Sequence, residues 1–177
     1  MPVGTIPDAS FDRVGAVLLR ALDGLSLDQL TRQPAGPESN PIGWIAFHLT
    51  RVHDRSFSLL SGKEQAFVEG KFFERFGVPP ETGSLGGSTL GQVRAFNPVS
   101  AELLASYWTA ARERSRAFLT SLTEADVETP TPPGIGPASP PETYRLTIAR
   151  VTGDTSQHIG QVAYARGLVD RHGWYGA

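Results

Sequence analysis

Apolar residues recur at three- and four-residue steps along most of the chain, the spacing of helices that bury one face. Phe11, Val14, Leu18, Leu22 and Leu25 mark a first helix, with Asp8 or Ser10 placed to cap its start. Ser26-Leu-Asp-Gln29 reads as a capping box opening a short helical turn to about residue 32. Asn40-Pro41 predicts the start of a second long helix, Asn as cap and Pro where no donor is needed. That helix should run to about Leu60, with Ile42, Ile45, Leu49, Val52 and Leu59 inward, and end at Ser61-Gly62. A third spans about 99–122, with Leu103, Tyr107, Ala111, Phe118 and Leu122 inward and Arg112, Glu113, Arg114 and Arg116 in water. A fourth runs from about Glu142 to Val169, with Leu146, Ala149, Val162, Ala165 and Leu168 as its apolar positions.

The connections carry their own signals. Residues 61–98 hold Phe67, Phe72, Phe73 and Phe76, too many aromatics for an unpacked segment, beside a glycine-rich stretch over 83–91. A connection of this length is uncommon unless functional, which makes it a candidate lid or pocket wall. Its glycines lack the spacing and the following Lys-Ser/Thr of a phosphate loop. Residues 129–141 are a Pro/Gly connector that no helix crosses. Gly153 and Gly160 lie inside the fourth helix at about 1 kcal/mol each relative to Ala, which calls for a close neighbour. The tail from Asp170 carries Trp174 and Tyr175 and is expected to fold back on the bundle. Four long helices, no recognisable strand and no internal repeat predict an all-α four-helix bundle, a single domain over residues 1–177.

Composition narrows the chemistry. The net charge is −2 and no Lys/Arg block tracks a phosphate backbone, which argues against nucleic acid as partner. The chain has no Cys, so disulfides, thiolate ligands and a cysteine nucleophile are all excluded. Neither a signal-peptide pattern nor an apolar run long enough to span a membrane is present, and a cytoplasmic location is the expectation. Gly-x-Ser-x-Gly is also missing.

Asp154 and His158 are four residues apart on the fourth helix. That spacing rotates them by about 40° and sets them one turn apart, so a carboxylate and an imidazole point the same way. His48 follows Ile45 and precedes Val52 on the inward stripe of the second helix. A lone His there is more often a hydrogen-bonded core residue, and an unpaired buried carboxylate is costly. One shared cation satisfies all three, and two imidazoles with a carboxylate leave positions open for water and substrate. Zinc, nickel or iron suits such a set. Other polar residues are weaker candidates. His53 is rotated by about 140° from His48 and reads as surface or hydrogen-bonding. His172 reads as exposed, Gln161 as a residue orienting a ligand, and Tyr164 as packing or a hydroxyl near a pocket. Arg51 and Arg55 read as members of surface ion pairs.

Asn40-Pro-Ile-Gly-Trp-Ile-Ala-Phe-His48, Arg51-Val-His-Asp-Arg55, Arg75-Phe-Gly-Val-Pro79, Asp154-Thr-Ser-Gln-His-Ile-Gly-Gln161, Tyr164-Ala-Arg-Gly167 and Gly173-Trp-Tyr-Gly176, in this order, resemble the DinB/YfiT-like superfamily. The resemblance implies a DinB/YfiT-like four-helix bundle with a metal at one end of its core. It implies one His ligand on the second helix, matched by His48, and a His-x-x-x-His pair on the fourth, whose last member is matched by His158. Asp154 stands where many members have the first His of that pair, which bears on metal identity, affinity and occupancy. Characterised members include thiol-dependent transferases and an isomerase that use mycothiol, bacillithiol or glutathione. Others are stress-induced proteins of unassigned activity.

Two functions follow as expectations. One is a metal-dependent enzyme, a thiol S-transferase or hydrolase, in which His48, Asp154 and His158 hold a divalent ion. That ion would activate an external low-molecular-weight thiol or water against a small-molecule substrate, in detoxification chemistry. The other is a non-catalytic, stress-related binding module with a structural or empty site, acting as a homodimer. A plain scaffold with Asp154 hydrogen-bonded to His158 also explains the spacing.

Overall fold

A computed structural model describes residues 3–133 and 142–170. The predicted tail, with His172, lies outside them, as does most of the Pro/Gly connector. The helices are α1 (Thr5–Leu22), α2 (Leu27–Thr31), α3 (Ile42–Ser61), α4 (Ala66–Glu69), α5 (Phe72–Phe76), α6 (Leu90–Ala95), α7 (Ala101–Ser121) and α8 (Tyr144–Asp170), with a 3₁₀ turn at Asp126–Glu128. Among the described residues there is no strand, only an isolated bridge between Pro130 and Thr143 that joins the ends of the connector.

The four long helices α1, α3, α7 and α8 form the bundle. Each of α1 and α3 packs on both α7 and α8, so α1 lies diagonally across from α3. Two apolar clusters fill it. The larger holds Leu18, Leu22, Ile45, Phe47, Leu49, Leu104, Tyr107, Trp108 and Val162; the smaller holds Phe11, Phe57, Leu60, Leu119, Ile148 and Val151.

Local signals explain most boundaries. Ser26 and Gln29 form the reciprocal capping box of α2, Thr89 and Gln92 form another on α6, and Ser100 Oγ accepts from Leu103 N to start α7. Gly62 closes α3 in the left-handed region at φ 67°. Two expected caps are not made. Helix α1 begins at Thr5 behind Gly4, ahead of Asp8 and Ser10. A Cβ at position 4 would stand 2.0 Å from the Leu119 carbonyl oxygen, so only glycine lets the α1 start lie against the end of α7. Helix α3 is preceded by Pro41 without a side-chain cap, leaving Asn40 one residue outside it.

The connection over 61–98 is more ordered than its composition suggested. It folds into α4, α5 and α6 and buries Phe67, Phe72 and Phe76 around Tyr107 and Phe47.

Several positions face differently from their predicted side. On α8 the buried residues are Thr147, Ile148, Val151, Thr155, Val162, Ala165 and Val169, while Leu146 and Leu168 are exposed. The buried threonines satisfy their hydroxyls locally, Thr155 on the Val151 carbonyl and Thr147 on Thr131 and Glu142, so they take core positions that apolar residues were expected to hold. An added Cβ at Gly153 or Gly160 meets nothing within 4 Å, so the close neighbour expected there is missing. On α3, Val52 and Leu59 are half-buried, whereas His53 and Asp54 are buried. Arg112 is buried, not wet; it donates to the Asp8 carbonyl oxygen at 2.8 Å, to the Asp8 carboxylate and to Asp12 at 3.0 Å, joining α7 to α1. No helix among the described residues is long and apolar enough to cross a membrane.

Candidate metal centre

Helices α3 and α8 pack directly, and their contact brings together the three residues singled out above. His48, Asp154 and His158 each offer one ligand atom, all within 4.8 Å of one another. His48 is buried, and Asp154 and His158 are half-buried, so the cluster sits at the margin of the core and reaches solvent. The two imidazoles meet edge to face, ring centroids 4.5 Å apart. Trp44, one turn earlier on α3, lies flat on His48 at 5.2 Å with the rings 2° from parallel.

Both rings are held through Nδ1, and for His48 the partner also fixes which nitrogen is free. His48 Nδ1 is 2.5 Å from the Ser84 carbonyl oxygen, and His158 Nδ1 is 2.8 Å from Gln161 Oε1. A backbone carbonyl only accepts, so His48 Nδ1 carries the proton and its Nε2 is the free nitrogen. His158 Nδ1 faces a side-chain amide, which can accept through its oxygen or donate through its nitrogen. This is the arrangement that ligating histidines adopt. Burial holds His48 below its usual pKa; the Ser84 carbonyl raises it, His158 lowers it and Asp154 raises it, in decreasing order. A neutral ring is the ligand form.

Asp154 completes the set. Its Oδ2 is 3.7 Å from His158 Nε2, beyond hydrogen-bond range, so the scaffold reading with a direct Asp154–His158 bond is not met. Its Oδ1 is buried without a partner. A carboxylate with one oxygen buried and unpaired, whose ligand atom lies within 4.8 Å of those of two imidazoles, fits a cation, and the unpaired oxygen is costly otherwise.

The other candidates fall elsewhere. Gln161 holds His158, as its position suggested. Tyr164 is 66% exposed. His53 is fully buried against Phe11, Phe57 and Trp108, with Nε2 2.7 Å from Ser115 Oγ. Burial, with a smaller push from Arg112, takes its pKa down to about 3. Arg51 is no surface ion-pair residue: it is 1% exposed and bonds Gln65, Tyr107 and the backbone of 82–83. The connection does supply a wall, through the Ser84 carbonyl and through Gly86, where a Cβ would stand 3.6 Å from His48 Cε1. Sequence reasoning missed Ser84, whose contribution is a backbone atom. It also missed Trp44 and Arg51, although both lie one turn from His48 on the same helix.

Two larger apolar grooves, of about 850 and 700 Å³, run along α1 and α8 and include none of the three residues. The candidate metal ligands lie outside both. A smaller pocket of about 270 Å³, lined by Asn40, Ile45, Tyr164 and Leu168 among others, also includes none of the three but is lined by Gln161, the partner of His158.

A four-helix bundle with a two-histidine, one-carboxylate cluster between two of its long helices is the class that fold and site define. The chain belongs to the DinB superfamily, which its sequence matches over residues 10–162. Its fold is similar to the crystal structure of a conserved protein from Enterococcus faecalis, with a TM-score of 0.84 over 97% of this chain and 99% of that one. The two share 21% sequence identity, a level at which the likeness concerns the fold alone. No curated protein matches the chain.

Proposed function

We propose that His48, Asp154 and His158 hold a divalent metal ion and that the protein is an enzyme of thiol or water transfer to a small electrophile. The observation that carries this reading is the donor set: two Nδ1-anchored imidazoles and an unpartnered carboxylate oxygen, with ligand atoms within 4.8 Å. A bound ion supplies Lewis acidity, which makes a thiol or water nucleophilic near neutral pH.

The residues divide the remaining work. His48 and His158 offer Nε2 in fixed orientations, because Ser84 and Gln161 hold the opposite nitrogens. Asp154 adds the one formal negative charge, which favours a dication over neutral ligands. Trp44 closes one face of His48 and keeps water from it. The pocket beside Gln161 offers Asn40 and Tyr164 as polar contacts for a small substrate. With no cysteine in the chain, a sulfur nucleophile comes from a small thiol such as mycothiol, bacillithiol or glutathione. In that reaction the thiol proton goes to solvent, sulfur bonds the electrophilic carbon, and the leaving group departs with the bonding electrons.

The test is turnover by zinc-, nickel- or iron-loaded protein with each thiol, and with water alone, against alkyl halide and ester substrates. Metal-dependent turnover lost in His158→Ala supports the reading. Full metal occupancy without turnover of any pair overturns the enzymatic part and leaves a metal-binding protein.

A further inference from the structure

Helix α3 presents three polar groups to one stretch of the 61–98 connection. Three consecutive backbone carbonyls answer them. Arg51 Nη2 donates to Thr82 O at 2.5 Å, Arg51 Nε to Gly83 O at 3.5 Å, and His48 Nδ1 to Ser84 O at 2.5 Å. Arg51 is one turn beyond His48, so both reach the same strip of backbone from one face of α3. The guanidinium is itself fixed. Its Nη1 bonds Gln65 Oε1 at 2.9 Å and Tyr107 Oη at 3.0 Å, Asp54 Oδ2 lies 3.5 Å away, and the plane sits 3.9 Å over the Phe67 ring. The strip is held against local preference: Leu85, immediately after Ser84, has φ 66°, a conformation costly for a residue with a Cβ. Contacts around it must therefore keep it in place.

From this geometry we infer that Arg51 is a positioning residue of the triad: by clamping the carbonyls of Thr82 and Gly83 it sets the Ser84 carbonyl that holds the proton on His48 Nδ1 and leaves Nε2 free as a ligand. This deepens the metal-site reading and rests on it. The forked guanidinium matters because two carbonyls on successive residues need two donors in one plane. A lysine carries the same charge but offers a compact point donor on a flexible stem. Without the clamp the Ser84 carbonyl is free to move away, and an unanchored imidazole favours the Nε2–H tautomer, with a proton where the ligand lone pair should be.

The experiment reads the tautomer directly. Long-range ¹H–¹⁵N NMR of the metal-free protein at pH 8 reports which nitrogen of His48 carries the proton. Co²⁺ titration followed by visible absorption reports ligation. Arg51→Lys keeps the buried charge beside Asp54 and is expected to fold; Arg51→Met is the second variant, and Ser115→Ala is a core variant remote from the clamp. Wild type should show Nδ1–H at His48. Arg51→Lys and Arg51→Met should shift His48 towards Nε2–H and weaken Co²⁺ binding by about 10- to 100-fold, the loss expected for a residue supporting a metal ligand. Ser115→Ala should lower the melting temperature and leave both readouts unchanged. An unchanged His48 tautomer in Arg51→Lys overturns the inference, as does an equal loss of Co²⁺ affinity in Ser115→Ala. Failure of wild type to bind Co²⁺ overturns the metal reading instead, and the tautomer readout then judges the Arg51 clamp by itself.

Discussion

An imidazole offers a lone pair to a cation through one nitrogen only while its proton is kept on the other. His48 meets that condition through a backbone carbonyl from a distant connection, while His158 Nδ1 is held by the side-chain amide of a glutamine one turn away. Asp154 is the residue whose surroundings make least sense without a cation, because its Oδ1 is buried and unpaired. An unsatisfied acceptor of this kind costs about 1 kcal/mol or more. Asp154→Ala should therefore leave the melting temperature of the metal-free protein unchanged or raise it, while removing the stabilisation that added metal gives wild type. A fall of several degrees in the metal-free variant, seen by calorimetry, would show the carboxylate to be a structural partner instead. His53 makes a different prediction. The unfolded chain takes up a proton there near pH 6.5, whereas burial delays uptake in the folded protein to about 3. Protonation thus favours the unfolded state. Stability is fully present above about pH 6.5 and falls as the pH drops towards 3, with a limiting slope of about 1.4 kcal/mol per pH unit from this one group. His48, also lowered, adds in the same direction. Denaturant unfolding of His53→Gln between pH 6.5 and 5 should give a shallower slope than wild type; equal slopes would contradict the assignment of a neutral, buried His53.

At the scale of elements, the chain announces its helices by period and punctuation. The stripe of Phe11, Val14, Leu18 and Leu22, the capping box at Ser26, and the Gly62 stop all gave elements where they were expected. The triad was legible for the same reason: an i, i+4 pair on one helix and a histidine on the inward stripe of another need only helical geometry to be placed. What stayed hidden depends on partners that no local window contains. Arg51 and Arg112 look like surface charges in sequence. Their burial makes sense only once Asp54, Tyr107 and the 82–83 carbonyls, or Asp8 and Asp12, are seen beside them. The inward face of α8 was misread for a different reason: hydroxyls bonded one turn back let threonine take positions where aliphatic residues were expected. Arg112 fastens α7 to α1 together with Arg116, which also pairs with Asp8 and Asp12. Removing Arg112 leaves the half-buried Asp8 carboxylate with only the Arg116 guanidinium, 4.0 Å away, and Arg112→Ala should cost about 3 kcal/mol in urea unfolding, the low end for a broken buried pair because Asp8 keeps that partner and still reaches water. A loss under about 1 kcal/mol would place that ion pair among the weak surface ones.

For the whole molecule, the bundle serves as a frame that holds two helices at a fixed separation, so that the candidate ligands from α3 and α8 converge, while the 61–98 connection reaches over to fasten one of them. Superfamily membership accounts for the frame, and the residues in the cleft determine what this chain does with it. With Asp154 in place of a third histidine the candidate site is more anionic than a neutral set, which would bear on which metal it could hold and how tightly. The most direct test is elemental analysis of untagged protein purified without metal resin or chelator, with zinc titrated into the metal-free protein by calorimetry, alongside His48→Ala and His158→Ala. The account predicts close to one equivalent of metal per chain in wild type and its loss in both variants. It also predicts a wild-type melting temperature that rises with zinc by mass action, about 2.7 kcal/mol of added stability when free zinc is at 100 times the dissociation constant. Wild-type protein that takes up no metal, or variants that bind it as well as wild type does, would contradict the account at its centre.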